Sequence, residues 1–161
     1  MFKVLLFSVI AMAAAREHGA HVHGDAKMNM AFDGKNGKIE FHAPASTIYG
    51  FEYVAKSAKD KANKDQSLKK LNDKVAEMIQ FDPSLKCEVT MDMYEVDQKD
   101  SHADVAAEYN VKCEKSPAET LVTLNIQKVF PRIKTVKVDV MLGDVQKSQE
   151  IKKGGDTIEL K

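Results

Sequence analysis

Three of the five histidines in this 161-residue chain fall within six positions, in the run His18-Gly-Ala-His21-Val-His23. Imidazole is the commonest protein ligand for zinc, copper and nickel, so this run is where the sequence concentrates its capacity for metal chemistry. On an extended backbone, residues two apart project to the same side. His21 and His23 therefore present two imidazoles within reach of one ion. Zinc takes four ligands, so the pair is half a site, and His42, His102, Asp104, Glu52 and Asp25 are the side chains that can complete it. His42 is the natural partner, because its strand is expected to pair with the strand that His21 and His23 lead into. His102 falls at the tip of a predicted hairpin among Asp97, Asp100 and Asp104, a candidate for a second, weaker acidic site. The plain alternatives are a polar tail for the His21/His23 pair, an ordinary half-buried strand position for His42, and a solvated loop for His102.

His18 supports a different geometry. Met1-Phe2-Lys3 followed by the apolar run Val4 to Met12 and Ala13-Ala14-Ala15 has the charge, length and small residues of a secretory signal peptide. The apolar run is too short to span a bilayer as a helix. Cleavage after Ala15 would make residues 1–15 the leader and 16–161 the mature chain, beginning Arg16-Glu17-His18. A free amine, two amide nitrogens and the third-position imidazole then form the square plane that Cu(II) and Ni(II) favour.

The mature length suits a single domain with a real core. The chain carries 24 basic and 24 acidic side chains, and loss of Lys3 leaves the mature part near neutral. That balance points away from nucleic acid and from an anionic membrane surface, and no stable membrane insertion is expected once the leader is removed. In an exported chain the two cysteines, Cys87 and Cys113, are expected to pair. The sequence holds no CxxC, HExxH, GxSxG or glycine-rich phosphate loop, so the common zinc-hydrolase, nucleophile and nucleotide signatures are missing.

The elements that must position these residues are read from periodicity. Met28, Met30 and Phe32 alternate with polar or small residues in one strand. Asp33 to Gly37 reads as a turn, and Ile39, Phe41 and Ala43 continue in a second strand that Pro44 ends. Leu68, Leu71, Val75, Met78 and Ile79 have helical spacing, and Pro83 closes that region. Leu85, Cys87, Val89, Met91 and Met93 share one strand face, while Val105, Ala107, Tyr109, Val111 and Cys113 share another. Antiparallel pairing with Cys87 opposite Cys113 sets Val89 against Val111, Met91 against Tyr109 and Met93 against Ala107. Val122, Leu124 and Ile126 form a further alternating set. Val136, Val138, Val140 and Leu142 make another strand, and Gly154-Gly155 introduces a short edge strand over Thr157 to Leu160. The sum is an α+β fold: a largely antiparallel sheet with one helical region packed on it and a cross-strand disulfide.

The run Arg16-Glu-His-Gly-Ala-His-Val-His-Gly24, Phe41-His-Ala-Pro-Ala45, Tyr49-Gly-Phe-Glu52, Ser101-His-Ala-Asp-Val105, Ala107-Glu-Tyr109 running to Cys113, and Val129-Phe-Pro-Arg-Ile133 together resemble the ZrgA family of zinc-uptake accessory proteins. The resemblance implies a periplasmic protein of Gram-negative bacteria that binds zinc and assists a zinc ABC importer or its binding protein. It carries His21, His23, His42 and His102 over as metal residues, with Asp104 as a carboxylate partner. Two departures stand out: Tyr53 occupies a position that is commonly histidine, and the segment from Val96 to Ser101 has no histidine-rich loop. Both imply fewer or weaker zinc sites on the same fold.

The expected function is therefore non-catalytic zinc holding or delivery. An envelope structural or interaction module with incidental histidines is the alternative, and a zinc hydrolase using Glu52 or Asp104 as a base ranks last. Imidazole ligands must be neutral to bind metal, so zinc affinity is expected to fall as pH drops below about 6.5.

Overall fold

The computed structural model describes residues 24–161. The leader and His18, His21 and His23, with the readings that rest on them, lie outside the described residues. Strand β1 (Asp25–Asp33) turns into β2 (Asn36–Pro44), followed by the one-turn helix α1 (Ala45–Ile48) and the long helix α2 (Ala58–Asp73). Then come α3 (Val75–Met78), β3 (Ile79–Phe81) and a 3-10 turn (Pro83–Leu85). The hairpin of β4 (Glu88–Lys99) and β5 (His102–Lys112) precedes β6 (Leu121–Leu124) and α4 (Ile126–Val129). Strands β7 (Thr135–Leu142), β8 (Val145–Ile151) and β9 (Asp156–Glu159) complete the order.

These strands form a six-stranded sheet in the order β4-β5-β2-β1-β7-β8 and a three-stranded sheet in the order β3-β6-β9. The alternating residues decide which face is buried. Met28, Met30, Phe32, Ile39, Phe41, Ala43, Val105, Ala107, Tyr109, Val111, Val136, Val138 and Val140 all point to one face and are buried. Leu68 and Leu71 of α2 and the small sheet's Ile79, Val122, Leu124 and Ile158 share that core. One hydrogen bond ties the layers: the Tyr109 hydroxyl donates to the Leu71 carbonyl at 3.2 Å. The arrangement is α+β, with all but one of its strand pairs antiparallel.

The disulfide joins Cys87 to Cys113 at the mouth of the β4-β5 hairpin. Val89 faces Val111 and Met91 faces Tyr109, as the alternation requires. Met93 does not face Ala107. A bulge between Met91 and Met93 moves Met93 opposite Glu108 and leaves it 46% exposed, while Tyr94 takes the place beside Ala107. A bulge inserts one residue into one strand only, and simple alternation cannot register that. Three further local differences have physical reasons. Leu85 belongs to a 3-10 turn that Pro83 begins, capped by Asp82, whose carboxylate accepts from the Ser84 N–H at 2.8 Å. Ile126 is buried as the first residue of α4 rather than as a strand residue. The helical region breaks at Lys74, so Val75 and Met78 lie on a separate short helix and Ile79 already belongs to β3.

Candidate metal centre

One end of the six-stranded sheet gathers most of the residues flagged for metal chemistry. Because β2 and β5 run antiparallel, Pro44 at the end of β2 lies opposite Asp104 near the start of β5, and His42 lies opposite Ala106. On the other side of β5, Asp97 faces Asp104 and Lys99 faces His102. β1 begins at this same end, since Lys27 pairs with His42. Its entry is fixed by the Gly24 carbonyl, which accepts from the Lys134 and Thr135 N–H groups at 2.7 and 3.2 Å.

His102 and Asp104 are two apart on β5 and share a face, the same spacing as His21 and His23. The His102 side chain is 74% exposed, and its Nδ1 lies 3.0 Å from Glu52 Oε2. Facing a carboxylate, Nδ1 is the protonated nitrogen and donates, which leaves Nε2 as the nitrogen with a lone pair. The Glu52 side chain is only 14% exposed, and its other oxygen accepts from the Ser46 hydroxyl at 2.7 Å. A further restraint comes from Gln98 Nε2, which donates to the Glu52 carbonyl at 2.8 Å and to the His102 carbonyl at 3.0 Å. Ser46, Glu52 and His102 thus form a relay that sets the imidazole's tautomer and direction. A carboxylate behind a histidine is the arrangement that orients metal-ligating imidazoles.

Local sequence places Glu52 where it can do this. Pro44 ends β2, α1 makes a single turn, and Gly50 redirects the chain with a φ of 96° that L side chains rarely adopt. A Cβ at Gly50 would also stand 3.3 Å from the Arg132 guanidinium carbon. Arg132 reaches both ends of the site: its side chain packs on Gly50, and its carbonyl passes close to Gly24.

Carboxylates crowd this end and are partly offset by basic side chains. Asp97 and Asp104 stand directly opposite each other across β4 and β5, an unfavourable placement for like charges. Lys99 Nζ offsets it at 3.0 Å from Asp97. Tyr49 is 1% exposed, and its phenol is pushed up to about 12 by burial first and then by the negative fields of Glu52 and Asp104. Its hydroxyl is buried and has no hydrogen-bond partner.

His42 is not part of the relay. It sits on the exposed face one row further along the sheet, diagonal to Asp104, where such neighbours are about 7–8 Å apart. Asp25 opens β1 beside the Thr135 end of β7. Among the described residues, no three histidines, cysteines, aspartates or glutamates stand close enough to hold a metal ion together. Glu52 stood among the possible ligands in sequence, but its role behind His102, 50 residues away, is not legible there. Ser46 was missed, since its hydroxyl carries no spacing signal, and Tyr49 entered only within the Tyr49-Gly-Phe-Glu52 motif. A groove lined by Phe81, Pro83, Cys87, Val89 and Leu121 lies at the disulfide end of the sheet and contains no histidine. No helix among the described residues is long and apolar enough to cross a membrane.

A family model described as ZrgA family zinc uptake protein matches residues 20–160, spanning every described element and beginning just before His21. No curated protein matches the chain. The match takes in the His102-x-Asp104 pair, the Ser46-Glu52 relay behind it and the disulfide hairpin that carries it, and the chain belongs to the ZrgA family of zinc uptake proteins.

Proposed function

We propose that the protein binds zinc in the periplasm and holds or delivers it to an importer, with no catalytic step of its own. The ion is cargo, taken by His21 and His23 from the segment entering β1 and by His102 and Asp104 from β5. The observation that carries this reading is the contact between His102 Nδ1 and Glu52, which leaves Nε2 to ligate and aims it from the end of the sheet where β1 begins.

Reach supports the set. β1 and β5 flank β2, so their axes are about 10 Å apart. His21 is three residues before the anchored Gly24, a span of at most about 11 Å. Two imidazoles from one side and an imidazole with a carboxylate from the other give the four ligands zinc prefers. Half of the set lies on β5 and half precedes β1. Handover favours partly exposed ligands such as His102 over a closed structural cage. His42, one row away, fits a waiting position on the route of exchange. The Cys87–Cys113 disulfide fits an oxidising compartment, as export to the periplasm requires.

The test is calorimetry with zinc on the chain beginning at Arg16, beside a His21→Ala/His23→Ala variant and a His102→Ala variant. One ion bound at micromolar or tighter affinity by the parent, and lost by both variants, is the expected result. Undiminished binding by the His102→Ala variant would remove β5 from the site. No binding by the parent would end the zinc-carrier reading.

A further inference from the structure

We propose that β8 is a self-association edge, through which two copies of the chain pair their β8 strands antiparallel about a twofold axis and join their large sheets. The contact lies wholly within the described residues and does not depend on the zinc reading.

β8 is the outermost strand of the six-stranded sheet, beyond β7 and on the far side from the β4-β5 hairpin. Strand parity decides which of its backbone groups face outward. The two-residue turn Gly143-Asp144 joins Leu142 to Val145, so these two exchange both hydrogen bonds, and every second pair after them does the same. The Thr135 N–H agrees: it donates to the Gly24 carbonyl on the β1 side, which leaves the even-numbered residues of β7 to face β8. Val145, Lys147, Gln149 and Ile151 are therefore bonded to β7, while Gln146, Ser148 and Glu150 turn their N–H and C=O groups away from the sheet. None of those groups has a backbone partner among the described residues. Edge strands ordinarily guard against pairing with a bulge, a proline or an exposed lysine. β8 is regular throughout and has no proline, and its single lysine, Lys147, lies on the core face with Nζ 3.8 Å from Glu159.

The strand's own sequence selects its partner. Read outward from Ser148, Val145-Gln-Lys-Ser-Gln-Glu-Ile151 is close to symmetric in character. An antiparallel second copy centred there brings all the outward groups into hydrogen-bonded pairs: Gln146 with Glu150, Ser148 with Ser148, and Glu150 with Gln146. In the pairs between them Val145 meets Ile151 and Lys147 meets Gln149. No like charges stand opposite each other, every charged side chain meets an amide, and the exposed Val145 gains an apolar neighbour. The other edge strand lacks this property. Registers of β4 against itself centred on Glu95, Val96 or Asp97 each set acid against acid. β8 is thus the edge that accepts a second copy, and joining there leaves the β4-β5 hairpin of each copy clear of the contact.

Sedimentation equilibrium of the metal-free protein from micromolar to millimolar concentration tests this, with Gln146→Glu, Gln146→Lys and Ser148→Pro beside the parent and a thermal melt of each. The parent is expected to rise toward twice the mass of one chain. Within its own chain Gln146 lies opposite Met141, so neither charge variant meets a charge directly across from it there. Across the axis the position faces Glu150 in two symmetric pairs, so Gln146→Glu should weaken the dimer about fivefold and Gln146→Lys should tighten it by about as much. Ser148→Pro removes an N–H that only the second copy uses and should abolish the dimer. A parent that stays at the mass of one chain overturns the proposal. So does a dimer whose two Gln146 variants shift in the same direction or not at all, or one that a folded Ser148→Pro variant retains, since another surface would then hold the copies together. Should Ser148→Pro fail to melt cooperatively, the opposed shifts of the Gln146 variants decide alone.

Discussion

At the scale of single residues, the proposed zinc site depends on which nitrogen of His102 is left with a lone pair. Glu52 decides that by engaging Nδ1, and Ser46 in turn holds Glu52. The pair is worth little to stability, because His102 is mostly exposed and exposed pairs contribute between nothing and about 1 kcal/mol. Its value lies in orientation. Glu52→Gln, which preserves size but can turn its amide N–H toward the imidazole, is expected to weaken zinc binding about 10-fold or more and to leave the melting temperature of the metal-free protein unchanged. Calorimetry with a parallel thermal melt separates the two effects. Equal zinc affinity in Glu52→Gln would mean that His102 ligates through another geometry or not at all. A different kind of single-residue dependence holds at Gly50, where φ is 96° and the Arg132 guanidinium leaves little room for a side chain. Gly50→Ala should cost at least about 1–2 kcal/mol, read as a lowered denaturation midpoint, because an L residue is strained in that region of backbone space.

At the scale of elements, the β4-β5 hairpin carries His102 and Asp104 at its turn and the disulfide at its mouth. The cysteines are 26 positions apart, so in the chain-entropy model the crosslink contributes roughly 3 to 4 kcal/mol by restricting the unfolded chain. Reduction should therefore lower the melting temperature by about 10 °C in a domain of this size. On the proposed function, zinc affinity below the transition should change little, because the proposed ligands His102 and Asp104 lie at the opposite end of the hairpin from the sulfurs. A reduced protein that melts with the oxidised one would show that the loop is already restrained when unfolded. The hairpin also shows what was legible in sequence. Strict alternation from Val105 to Cys113 identified β5, the cysteines set its register, and Met28 to Ala43 identified β1 and β2. The bulge at Met91/Met93 broke the alternation without leaving a glycine or proline to mark it. β8 went unread because its sequence, Val145 to Ile151, is mostly polar and its burial is partial, as suits an edge strand. The parallel pairing of β7 with β1 joins strands about a hundred residues apart, which no local pattern encodes. For the candidate centre, the sequence brought His102 and Asp104 together only at the tip of the predicted hairpin and through the family resemblance. The Glu52 contact with His102 exists only because α1 and Gly50 fold the chain back toward the start of β5.

At the scale of the whole molecule, the two sheets and α2 close over a core that encloses two phenols, and this sets an alkaline limit on the fold. Burial pushes Tyr109 well above the ordinary tyrosine value, and burial with the Glu52 and Asp104 fields pushes Tyr49 up to about 12. Both groups therefore keep their protons in the folded state at pH values where the unfolded chain, with tyrosines near 10, has released them. Above about pH 10 the folded protein binds more protons than the unfolded one, so stability must fall as pH rises. The contribution is fully present below pH 10 and is lost progressively as pH passes the folded values. For Tyr49 alone, a two-unit displacement corresponds to about 2 to 3 kcal/mol, and Tyr109 adds to it in the same direction. Denaturation midpoints measured from pH 8 to 12 should be level up to about pH 10 and then decline. The part of the ionised-tyrosine absorbance that belongs to Tyr49 and Tyr109, read as the difference from the Tyr49→Phe and Tyr109→Phe variants, should rise in step with unfolding, because the other two tyrosines, Tyr53 and Tyr94, are exposed. Tyr109→Phe should flatten part of the decline but cost about 1 kcal/mol at neutral pH, because it gives up the bond to the Leu71 carbonyl that joins α2 to the sheet. Tyr49→Phe should flatten another part at no neutral-pH cost, because its hydroxyl has no bond to lose. Unchanged alkaline slopes in both variants would mean that the phenols can be reached by solvent without unfolding.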